Sequence, residues 1–221
     1  MKKMSLLNIV LLFVTLSMLY SLIATILQAL QQSQAQASAT WFLAFEIVLG
    51  LGLIFLPRII AKIGKFSLPD VIYLFFLLFI YGSVYLGTVN HFYSIVAHWD
   101  KGLHLLSGPL VSAFGLSLLG AMLPKDIIFR LSRSFVYLYG VAFGVLGGVL
   151  WEFYEFTCDS FGMNLQRYMQ AGKPLVGRAA LLDTMGDLWM DFIGAALFMV
   201  FVIIKLAKDK HWLKNFEFHK I

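Results

Sequence analysis

A chain of 221 residues, 60% of them hydrophobic and only 13% charged, carries more apolar surface than one soluble core can hide, because an average globular chain is about half apolar and a quarter charged. The formal charge of +5 does not point to nucleic acid, since the basic residues sit in short loops between apolar runs and near the C-terminus, where they determine topology. Cys158 is the only cysteine, which excludes an intramolecular disulfide and any multi-cysteine metal site and leaves an integral membrane protein.

Six apolar stretches are long enough to cross about 30 Å of hydrocarbon at 1.5 Å per residue. They cover approximately residues 5–30, 41–62, 70–91, 99–123, 133–156 and 182–206. Lys2 and Lys3 precede the first, and a polar connector, Gln31 to Thr40, follows it with Ala-x-Ala sequences at Ala35–Ala37 and Ala37–Ala39. A cleaved signal peptide has that outline, but this run exceeds the usual core of about 7–15 residues and is expected to remain as the first span. The second stretch holds a lone acid, Glu46, that could line a cavity or bond between helices, and His91 and His98 flank the loop after the third. Loops are short and no internal repeat is evident. The expected architecture is all-α, six transmembrane helices in one bundle, with residues 1–221 forming a single transmembrane domain.

The last three stretches carry polar groups in helical register. On the fourth, Asp100, His104, Gly108 and Ser112 recur every four residues, and Pro109 leaves the carbonyl near Leu105 without its usual donor. The fifth repeats Gly140, Gly144, Gly148 and Glu152 at the same spacing, with Glu155 one turn on. Small residues at intervals of four let helix backbones approach closely in a membrane, so Glu152 ends a packing seam. The sixth has Asp183, Asp187, Asp191 and Ala195, with Gly194 alongside. Each acid row runs into a small-residue row, as three helices converging on one polar pocket require.

Orientation follows from the cations. With the N-terminus inside, only Lys101, Arg167, Lys173 and Arg178 of the 17 Lys and Arg fall outside. That asymmetry predicts both termini in the cytoplasm and the polar site on the outer face of the cell membrane. Asp191 lies roughly nine residues into its predicted span, on the order of 13 Å deep, where an acid costs about 2.5–3.5 kcal/mol. Such a position needs a use.

Converging carboxylates repel one another, so protons or a cation must neutralise some of them. Oxygen ligands with one imidazole suit Mg²⁺, Mn²⁺, Ca²⁺ or Zn²⁺. Glu152, Asp183, Asp187 and Asp191 form the expected metal set, and His104, oriented by Asp100, with Glu155, the expected proton-transfer set. No H-E-x-x-H, G-x-S-x-G or P-loop occurs, nor the Glu-x-x-His pairs of di-iron bundles.

Taken together, Trp99-Asp100-Lys101 with His104 and Gly108, Trp151-Glu152-Phe153-Tyr154-Glu155, and Asp183-Thr184-Met185-Gly186-Asp187 with Asp191, Gly194 and Ala195 resemble the YjdF-type family of bacterial inner-membrane proteins. A looser similarity runs to VanZ-like membrane proteins, with Asp191 standing where that pattern has Asn and Glu155 where it often has Gln. The resemblance implies a helical inner-membrane protein and brings no activity with it. Two classes of function meet these constraints. One is a membrane-embedded, metal-dependent enzyme acting on a lipid or lipid-linked headgroup, with Arg167, Lys173 and Arg178 attracting an anionic headgroup. The other is a non-catalytic lipid or envelope binding protein, or a proton- or cation-coupled transporter. Below Asp191 the sixth stretch is purely apolar, which disfavours a through-going path.

Overall fold

A computed structural model describes residues 4–160, 169–170, 173–174, 176–216 and 219–220. Six long helices organise it: α1 (Leu6–Gln31), α2 (Gln34–Gly64), α3 (Asp70–Ile80), α4 (Trp99–Met122), α5 (Arg133–Asp159) and α6 (Arg178–Lys208). The rest of the described chain is helical turns and two antiparallel pairs of two-residue strands, Phe66–Ser67 with His219–Lys220 and Met169–Gln170 with Lys173–Pro174. All six helices, α3 with its continuation to Val89, are long and apolar enough to span a membrane. Arg167 lies outside the described residues.

Two elements differ from the sequence expectation. The polar connector shrinks to Gln32 and Ser33, because α2 already begins at Gln34; Ala and Gln are strong helix formers, and polarity alone does not break a helix. The third span is α-helical only to Ile80 and continues as a π-helix over Tyr81–Val89. At its end the Asn90 N–H and Nδ2 both donate to the Tyr85 carbonyl, at 3.0 and 2.7 Å.

The helices cluster into two compact units, Met1–Ala97 with His219–Ile221, and His98–Phe218. In the first, Leu7, Leu11, Val14 and Met18 form a stripe along α1 that buries against Ile47 and Ile54 of α2 and Tyr73 and Leu77 of α3. Glu46 is half-buried on α2.

In the second unit each of α4, α5 and α6 packs on the other two. A Cβ added at Gly108 would strike the Asp191 carbonyl and lie 2.8 Å from the Ala195 nitrogen, so the α4 backbone rests directly on that of α6. Gly194 returns the contact, for its Cβ would strike the Leu105 carbonyl and meet Pro109 Cδ at 2.9 Å. Pro109 has no N–H to offer Leu105, and that freed oxygen is where α6 makes its approach. Gly144 fits α5 into the same crossing, 2.6 Å from Ser112 Oγ and 2.7 Å from Ala195 Cβ for an added methyl. Ser112 then donates to the Gly140 carbonyl at 2.8 Å. The outward faces remain apolar, with Leu138, Leu150 and Leu197 each more than half exposed, a surface suited to lipid.

Candidate functional site

α4 and α6 begin, and α5 ends, at one end of the second unit, so their polar residues meet there. His104 is buried, and its Nδ1 lies 2.9 Å from Asp191 Oδ2. Asp191 is fully buried, and Ser107 Oγ donates a short hydrogen bond to its other oxygen. Gly148 of α5 leaves the space that the Asp191 carboxylate fills, with Cγ 2.7 Å from where a Cβ would stand. The imidazole is therefore held at Nδ1 by an acid 87 residues away on α6.

With Nδ1 engaged, Nε2 points to α5 and stands 3.8 Å from Glu152 Oε1. That distance is too long for a direct hydrogen bond. Glu152 Oε1 is buried and has no hydrogen-bond partner among the described residues, the Glu152 side chain being only 7% exposed. An orphaned buried carboxylate oxygen is costly and calls for an ion, a proton or a water. Asp100, His104 and Asp187 each offer one ligand atom within 4.8 Å of the others. These two observations bring acceptors from all three helices to one place.

A cation from the chain itself enters the rim. Lys101 Nζ lies 3.0 Å from Asp187 Oδ1 and 3.2 Å from Asp183 Oδ1, and also donates to the Asp183 carbonyl at 3.2 Å. It reaches α6 across Gly186, where an added Cβ would stand 3.0 Å from the ammonium. Glu155, buried one turn beyond Glu152, accepts from Trp151 Nε1 at 2.8 Å. Among the described residues, six carboxylates thus gather at this end with one ammonium and one imidazole. Even with His104 charged, four negative charges stay uncompensated if all six acids ionise, which a low-dielectric setting resists.

All seven of the expected residues, Asp100, His104, Glu152, Glu155, Asp183, Asp187 and Asp191, lie at this end of the second unit. Five of them fall into two ion-paired groups, Asp183 and Asp187 on Lys101, and His104 between Asp191 and Glu152. Lys101 and Ser107 join the site beyond the seven expected residues. Both stand three residues from His104, on its face of α4, and that spacing was the available signal. Arg178 opens α6, and His98 caps α4 in a left-handed conformation with φ of 57°.

Six apolar spans with a buried polar cluster define a polytopic helical membrane protein. The chain belongs to a family described as predicted membrane protein (DUF2238), which matches residues 9–208. No curated protein and no solved structure matches it.

Proposed function

We propose that the second unit houses a divalent-cation centre facing the cell exterior or periplasm, and that the protein is a metal-dependent enzyme acting on a lipid or lipid-linked headgroup. The observation that carries this reading is the unpartnered Glu152 Oε1 opposed to His104 Nε2 at 3.8 Å, beside the Asp100, His104 and Asp187 set. In a metal site, a ligating histidine typically gives its second ring nitrogen to a carboxylate that fixes tautomer and orientation. Asp191 is so placed on Nδ1, and Ser107 holds Asp191 in turn.

The roles then divide. His104 Nε2, Glu152, Asp187 and Asp100 would hold the ion, Asp191 would orient His104, and Lys101 would steady Asp183 and Asp187. Mixed oxygen and imidazole donors suit Mg²⁺, Mn²⁺ or Zn²⁺. A bound ion would supply Lewis-acid polarisation of a phosphoryl or acyl oxygen. Glu155, outside the ligand set, remains to exchange a proton with substrate or water. The cation asymmetry of the loops supports both termini in the cytoplasm, and the motif series that resembles YjdF-type proteins runs through these residues.

The test is titration of purified protein with Mn²⁺ or Zn²⁺, followed by calorimetry and elemental analysis. Wild type should take up one ion per chain. His104→Ala and Glu152→Gln should abolish uptake, and Asp191→Asn should weaken it about 10–100-fold, as loss of a ligand-orienting partner does. Wild-type affinity in Glu152→Gln would remove the cation centre. If the ion binds but bilayer lipids incubated with loaded protein keep their headgroups by mass spectrometry, the enzyme reading gives way to non-catalytic binding.

A further inference from the structure

In the first unit, the start of α1, the last turns of α2 and the start of α3 come together around a cleft of about 590 Å³. Arg58, Lys62, Lys65 and Asp70 line it together with Tyr73. Three cations against one acid leave a surplus of two positive charges, more than topology alone requires of them. We propose that this cleft binds the phosphate of an anionic phospholipid headgroup.

Arg58 is prepared for such a ligand. Its guanidinium lies 5.6 Å from the centroid of the Tyr73 ring, and its Nη2 donates to Asn8 Oδ1 at 2.5 Å. Tyr73 is itself fixed, its hydroxyl donating to the Ile54 carbonyl at 2.7 Å. A guanidinium carries five donors, so one braced on a ring and a side-chain amide still presents others in a defined plane, which favours bidentate recognition of phosphate. Lys62 follows Arg58 by four residues and shares its helix face. Lys65 caps α2 in a left-handed conformation with φ of 55° and lines the same cleft.

The walls argue for a lipid over free phosphate. Leu7, Pro57, Ala61, Phe66 and Leu68 complete the lining, and Ile63, 77% exposed, stands next to Lys62 at the outer surface of α2. A phosphate with glycerol and acyl carbons attached would cover these apolar atoms, whereas a hydrated inorganic ion would leave them in contact with water. The cleft also lies at the ends of three spans, Leu6–Gln31, Ala37–Gly64 and Asp70–Val89, the level at which headgroup phosphates sit and basic residues draw anionic lipid.

The experiment follows thermal unfolding of the full chain in a neutral maltoside detergent. Phosphatidylglycerol, phosphatidylcholine or inorganic phosphate is added at constant ionic strength. Phosphatidylglycerol should raise the midpoint of wild type by several degrees and phosphatidylcholine should not. The shift should fall by at least half in Lys62→Gln/Lys65→Gln and stay intact in Lys208→Gln/Lys210→Gln, which removes equal charge elsewhere. Arg58→Gln should lose the response as well, and the lysine pair carries the test if that variant unfolds. Equal shifts in both lysine pairs would mean that bulk charge attracts the lipid and would overturn the proposal. So would inorganic phosphate alone producing the whole shift through Lys62 and Lys65, since the ligand would then be a free anion.

Discussion

Replacing Gly194 with Ala is the sharpest probe of the packing that assembles the polar site. The new methyl would strike the Leu105 carbonyl and stand 2.9 Å from Pro109 Cδ and 3.1 Å from the Leu105 carbonyl carbon. Two of these atoms belong to the backbone and the third to a rigid ring, so no rotamer change can relieve the contact and α6 must retreat from α4. Overpacking of this kind costs about 1–3 kcal/mol, and an immovable obstacle places it in the upper half of that range. For a chain of this size the loss corresponds to a fall in melting temperature of about 4–12 °C, at roughly 2–4 °C per kcal/mol. Gly102→Ala is the matched control, because a Cβ there meets nothing within 4 Å. That change should be neutral or stabilising by up to about 1 kcal/mol, as alanine is the better helix former. Both variants would be melted in the same detergent and followed by tryptophan fluorescence and light scattering. If Gly194→Ala melts together with Gly102→Ala, the helices are not in backbone contact at this crossing and the reasoning fails.

Two further expectations concern charge and topology. Lys101→Met leaves Asp183 and Asp187 facing each other without their ammonium; because Lys101 is 25% exposed, the loss should be a partial one of about 1–3 kcal/mol. Millimolar Mg²⁺ or Mn²⁺ should restore more melting temperature to this variant than it adds to wild type, and an equal increment in both would show that the acids attract no cation. Single cysteines introduced into a variant lacking Cys158 should react with an impermeant maleimide in whole cells near His98 and Gly177 and stay protected near Lys65 and Lys208; the reverse pattern would turn the site to the cytoplasm.

The spans were legible because hydrocarbon thickness imposes a length and a composition that few other environments demand. Face assignments were legible for a similar reason, since a four-residue repeat of small and acidic side chains can lie on only one side of a helix. The start of α2 was not, because Gln34 to Thr40 combines polar side chains with good helix propensity, and hydropathy registers only the polarity. The π-helical stretch over Tyr81–Val89 was equally hidden. Its residues are as apolar as an α-helical span needs, and the change from i−4 to i−5 bonding leaves no compositional trace.

Which acid would hold His104 depends on axial stagger, which repeats of four on separate helices do not specify. Sliding α6 by one turn, about 5.4 Å, would exchange Asp191 for Asp187 or Ala195 opposite the imidazole while keeping every face pointed inward. The stagger is set by backbone contacts: Gly108 on the Asp191 carbonyl and Ala195 nitrogen, and Gly194 on the Leu105 carbonyl that Pro109 leaves free. Moving α6 by a turn either way would bring Met190 or Phe198 to the place of Gly194, and a side chain cannot occupy that space. Gly148 adds the same condition from α5, since only a residue without Cβ leaves room for the Asp191 carboxylate. The glycines read in the sequence as packing residues therefore also select the chemistry. By fixing register they put Asp191 on Nδ1, turn Nε2 toward Glu152, and leave Asp187 to Lys101 at the rim.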